Sequence, residues 1–244
     1  MALTKNIHNP HLLILLSIIA VLLLSCTDFF SRSWASWAAR DPDKLVPKVT
    51  AGNVDEIITS AENNPDLSLS VLKKIGDAAK GKTSEDDLKK LQNSALKAAT
   101  NAAGLVPAVL NVANDILSTD LSNISDEEAT QMVFDAINNM KNLISTSDAL
   151  REILPDPVND PEAFENWVSE ANADDLAFAA VLLIAAEVKD NEIDSIDDLK
   201  NYINENESSP NTELALAIAK NLGSRDPEDF DGPLKSILDN LGLN

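Results

Sequence analysis

Beyond residue 11 this chain has no histidine, and its single cysteine is Cys26. Without histidine or a second thiol, the body of the protein cannot build a Ser-His-Asp triad, a Cys-His nucleophile or a histidine general base. Zinc held by His and Cys, iron–sulfur clusters and ordinary haem ligation are excluded on the same ground. No intrachain disulfide can form, so stability rests on packing. Glycine is scarce, at 7 in 244 residues, and aromatic residues make up 4%. There is no P-loop, no G-x-G-x-x-G, no G-x-S-x-G and no H-E-x-x-H.

Positive charge is scarce too. Lys and Arg number 19 against 40 Asp and Glu, a net charge of −21. The imbalance lies in one half. Residues 26–97 hold eleven acidic and eleven basic side chains, whereas residues 98–244 hold twenty-nine acidic and seven basic ones. Such a surface repels nucleic acid and anionic lipid, so no nucleic-acid partner is expected. It suits either plain solubility or a docking face for a basic partner or cations.

What is present begins at the N-terminus. Leu12 to Leu24 are apolar except for Ser17, behind a short polar start with one fixed positive charge, Lys5. The run is shorter than the roughly 20 residues of a spanning helix and fits a secretory signal core. It ends in Leu22-Leu23-Leu24-Ser25-Cys26, which resembles the lipobox of bacterial lipoproteins. That resemblance implies cleavage of residues 1–25, acylation of Cys26 and a place in the bacterial cell envelope, facing the periplasm or the cell surface. Residues 26–40 then form a lipidated tether carrying Phe29, Phe30, Trp34 and Trp37. These rings suit a bilayer interface, where indole keeps its ring in the acyl boundary and its N–H in water. Trp34 and Trp37 would equally serve as core for the first helices.

From residue 41 to 244 the signals are helical and no strand is expected. Several starts share one device, a capping residue followed by Pro and an acid: Asp41-Pro42-Asp43, Asn64-Pro65-Asp66, Asp160-Pro161-Glu162 and Asp226-Pro227-Glu228. The cap oxygen takes an orphan N–H, Pro fits the first helical position, and the acid meets the positive end of the dipole. Ser84, Ser125 and Ser195 open helices in a similar way. After Ser125, the residues Met132, Val133, Ala136, Ile137, Met140, Leu143 and Ile144 form one helical stripe. After Ser84 the stripe runs Leu88, Leu91, Ala95, Ala98 and Ala102, with Gly104 and Pro107 breaking or kinking the helix. The segment from Phe178 to Ala186 is apolar on every side. It predicts a central helix packed all round. The same residues, Phe178, Val181, Leu182, Leu183 and Ile184, would also suit the lining of a pocket for an apolar small molecule.

Two stretches share an order of parts. Val54-Asp55-Glu56-Ile57, Pro65 and the apolar helix ending at Ile75-Gly76 match Ile196-Asp197-Asp198-Leu199, Pro210 and the helix ending at Leu222-Gly223. Each predicts a helical hairpin with one apolar side, which needs a neighbour to cover it. The arrangement loosely resembles tetratricopeptide-like repeats, without their 34-residue spacing or signature positions. Ser36-Trp37-Ala38-Ala39-Arg40-Asp41-Pro42 onward is similar to uncharacterised lipoproteins of spirochaetes. The expected fold is therefore an all-α, multi-helix domain of stacked hairpins, either α-solenoid-like or an irregular bundle.

Chemistry is left to carboxylates, Lys, Ser and Tyr202. Glu207-Ser208 resembles the Glu-Ser pair of lytic transglycosylases, where one Glu serves as acid and base, but the Gly-Leu-Met-Gln segment expected after it is missing. Asp156 to Asp160 and Asp190 to Asp198 offer hard oxygen ligands without the twelve-residue calcium-loop pattern. The sequence thus predicts no catalytic residues, no metal site and no cofactor. It predicts a lipid-anchored binding or scaffold protein with a protein partner. An apolar-ligand carrier is the alternative, and a carboxylate glycosidase the remote one.

Overall fold

The computed structural model describes residues 41–81, 83–105, 108, 126–206 and 209–225, the side chains of 126–130, 132, 133 and 196 aside. The chain divides into two units after Leu45. Of the first, the described part is Asp41 and the short helix α1, Pro42–Leu45. Asp41 opens it by accepting the Asp43 N–H at 3.2 Å.

In the second unit the described residues form nine helices: α2 (Val54–Ala61), α3 (Pro65–Ala79), α4 (Glu85–Ala103), α5 (Asp126–Asn139), α6 (Leu143–Arg151), α7 (Pro161–Glu170), α8 (Ala173–Asp190), α9 (Ile196–Glu205) and α10 (Pro210–Gly223). The caps explain the starts. Asn64 accepts the Leu67 N–H, Asp160 that of Ala163, Ser84 that of Asp87 and Ser195 that of Asp198, at 3.1–3.2 Å. Ser209 does the same for α10 with Pro210 behind it, and Asn172 for α8. Each such cap is worth about 1 kcal/mol.

α8 is the axis of the unit. It packs against α4, α5, α6 and α10, and Leu176, Leu182, Leu183 and Val188 on it are fully buried. Alanines on α8 and α4 (Ala177, Ala180, Ala95, Ala99) let helices approach closely while excluding water. α10 lays Leu214, Ile218 and Leu222 into the same core. Trp167 of α7 is 1% exposed, sits 5.9 Å from Phe164 ring to ring, and donates its indole N–H to Asn93 Oδ1 at 3.0 Å. Because α8 joins helices far apart in sequence, the domain is an all-α bundle around a central helix; in a solenoid each repeat would touch only its neighbours.

Two details differ from the sequence expectation. The stripe after Ser125 is two helices, because Asn142 adopts a left-handed conformation at φ 56°, one that Asn tolerates better than most residues. Lys189 of α8 completes the break by donating to the carbonyls of Asn138 and Met140, at 3.1 and 2.6 Å. Gly76 does not close its helix. It lies inside α3, where an added Cβ would sit 3.3 Å from Ile153 Cγ1, so it serves close approach. Gly104, by contrast, is a left-handed C-cap at φ 67° ending α4. Arg225 caps another helix, donating to the carbonyls of Val168 and Ala171 at the end of α7. Among the described residues no helix is long and apolar enough to cross a membrane.

Candidate functional site

Cys26, Phe29, Phe30, Trp34, Trp37, Glu207 and Ser208 lie outside the described residues. Of the five residues considered for an apolar pocket, Leu182, Leu183 and Ile184 are buried in the core, while Phe178 and Val181 are half-buried against it. They line neither of the two grooves described below. The acidic loops have local structural work. Asp156 accepts the N–H groups of Val158 and Asn159, both at 2.8 Å, and the Asn159 side chain at 2.7 Å. Those bonds hold its carboxyl below the usual range. Asp197 and Asp198 occupy the first turn of α9. Among the described residues no three His, Cys, Asp or Glu side chains converge as a metal would require.

The two ends of α8 carry the polar chemistry of the domain. At the C-terminal end, Glu187 follows the apolar run and is only 7% exposed. A carboxylate taken from water needs donors, and three elements supply them. Tyr202 of α9 donates its hydroxyl to Oε2 at 2.5 Å. Ser209, the cap of α10, donates to Oε1 at 3.2 Å. Asn191, at the end of α8, donates to Oε2 at 3.2 Å. Burial, reinforced by the bond to Glu187 and by its charge, pushes the Tyr202 phenol up to about 12. The phenol keeps its proton and the carboxylate oxygens are occupied, so the cluster ties α9 and the start of α10 to α8.

At the N-terminal end the opposite holds. A groove of about 480 Å³ runs between the outer face of α4 and the start of α8. Lys90, Asn93, Ser94 and Lys97 recur at helical spacing along α4 and form one wall. Asn172 and Asp175 at the head of α8 line it too, with Asp55, Asp86 and Glu170 completing the lining. Lys89 opens onto this groove and onto a second of about 280 Å³, lined in part by Leu88, Pro155 and Trp167. Some charges are matched. Lys89 lies 2.9 Å from Glu170, and Lys90 lies 3.1 Å from Asp55. Among the described residues, Lys97 and Asp175 form no ion pair within 4 Å. Burial raises the Asp175 carboxyl above its ordinary range; the attraction of Lys97 opposes this more weakly, and Asp174 adds to it.

Neither end was singled out by sequence. Glu187 was detectable as the one acid closing an apolar run, and Tyr202 as the only tyrosine, but their meeting is tertiary. No family model, no curated protein and no solved structure matches this chain.

Proposed function

We propose that this chain is a lipid-anchored helical binding protein of the bacterial cell envelope, held to a membrane through Cys26, and that it acts as a scaffold by recognising a protein partner on its surface. Two features support this. The first is the lipobox-like Leu22-Leu23-Leu24-Ser25-Cys26 behind its apolar run. The second, which carries the choice of surface binding over an enclosed ligand, is the packing of the central helix. Leu182, Leu183 and Ile184 are 0%, 0% and 3% exposed, so an apolar ligand at these residues would have to displace well-packed side chains, at a cost of kilocalories.

The test is cross-linking in living cells followed by capture of the full-length chain. The expected result is a reproducible partner that disappears when residues 46–225 are deleted and the tether is kept. In parallel, Cys26→Ala should abolish incorporation of labelled fatty acid and release the protein from membranes. Absence of any partner, together with an apolar molecule retained in native mass spectrometry, would replace this reading with the apolar-carrier one. Cell-wall cleavage lost in Glu207→Gln would replace it with the glycosidase.

A further inference from the structure

We propose that the groove between α4 and the head of α8 binds a small zwitterion of the amino-acid class, its carboxylate on Lys97 and its ammonium on Asp175. This goes beyond the scaffold function and stands whether or not Cys26 carries lipid.

The first ground is charge balance. The chain as a whole is at −21, yet the groove gathers Lys89, Lys90 and Lys97 against Asp55, Asp86, Glu170 and Asp175. A lining so nearly neutral gives a bare anion or a bare cation no strong preference. It suits a ligand carrying both signs. The second ground is which charges remain unmatched. Lys89 and Lys90 are closed onto Glu170 and Asp55; Asp86 is also unpaired among the described residues, but it is exposed to water. Lys97 and Asp175 act on one another electrostatically without closing to an ion pair, and Asp175 has no hydrogen-bond partner for its carboxylate among the described residues. Lys97 is exposed on α4 and Asp175 is half-buried. A half-buried carboxylate lacking protein donors has lost part of its hydration without replacement, and a ligand ammonium restores both charge and hydrogen bonds.

The third ground is the wall between them. Asn93 and Asn172 each use their amide oxygen within the protein, on the Trp167 indole and the Asp175 N–H. Their NH2 groups remain as donors for a ligand carbonyl or carboxylate. The volume, about 480 Å³, lies within the roughly 300–1,000 Å³ range of small-molecule sites. It accommodates a free amino acid or a short unblocked peptide.

The test is a nitrogen-15 NMR titration of the full-length chain in detergent micelles at fixed ionic strength, with alanine, tri-alanine, N-acetyl-tri-alanine and tri-alanine amide. The expected result is a saturable shift of the Asn93, Lys97, Asn172 and Asp175 amides with alanine or tri-alanine, whichever fits telling the size of the ligand. Blocking either terminus, or introducing Lys97→Gln or Asp175→Asn, should weaken binding about tenfold or more, since each removes one charge-assisted contact. Asp175→Asn should unfold at or above the wild-type temperature and Lys97→Gln, which gives up only the attraction of an exposed lysine for Asp175, close to it. This separates lost binding from lost structure. The proposal is overturned if neither free ligand gives a saturable shift up to about 10 mM, a range of weak affinity. It is equally overturned if the blocked peptides or the two variants bind as well.

Discussion

One helix, α8, carries two carboxylates treated in opposite ways. Glu187 at its C-terminal end is the more deeply buried, and it is surrounded by donors from Tyr202, Ser209 and Asn191. Asp175 at the N-terminal end is only half-buried, yet burial raises its carboxyl and, among the described residues, no donor answers it. The difference teaches that depth does not decide whether a buried charge holds a fold together. Supply of partners does. The satisfied end fastens α9 and the start of α10 to the core. The unsatisfied end faces a groove, and there the unmet demand is available to a ligand.

The contrast can be broken from either side. The largest effect is expected for Glu187→Ala, which leaves the Tyr202, Asn191 and Ser209 donors without their acceptor and opens a cavity; urea unfolding should show a loss of about 3 kcal/mol. Tyr202→Phe removes one donor and should cost about 1–2 kcal/mol. It also changes the alkaline limb. The phenol is raised from 10.0 to about 12 in the folded protein, so its contribution is complete below pH 10 and is lost as pH climbs towards 12. In Tyr202→Phe, urea midpoints between pH 10 and 12 should lack that component of the decline.

Asp175→Asn should act in the other direction. The folded-state carboxyl is raised above its ordinary 3.8, so ionising it costs stability, and that cost builds as pH rises through the folded value. The variant should therefore melt slightly higher than wild type near neutral pH and lose the advantage below 3.8. The smallest effect belongs to a charge pair with no burial at stake. Lys80 and Glu152 lie 2.7 Å apart with both side chains largely exposed, and Lys80→Gln should leave the urea midpoint unchanged within error.

Much of the fold was legible because its signals are local. Asn64-Pro65, Ser84, Asp160-Pro161 and Ser195 cap helices through atoms three residues away. The apolar run from Phe178 predicts the central helix by composition alone. What escaped depends on distant residues. The stripe from Ala136 to Ile144 is continuous in sequence, but Lys189 ends its first half from another helix. Gly76 looked like a terminator, whereas its role is set by Ile153 packed over it. Ser209 follows Glu207-Ser208 in the sequence, where nothing local separates a helix cap from a reactive pair. The groove joins α2, α4, α7 and α8, which no periodicity could assemble. The expectation of a lipidated Cys26 falls outside the described residues.

Partner supply, and not depth, separates the two ends of α8. Urea unfolding of Glu187→Gln and Asp175→Asn side by side, in the full-length chain at neutral pH, tests it most directly. The amide at 187 meets donors with a donor, so that variant should unfold at lower urea than wild type, while the amide at 175 relieves an unmet charge and should unfold at higher urea. Shifts of the same sign, in either direction, would contradict the account.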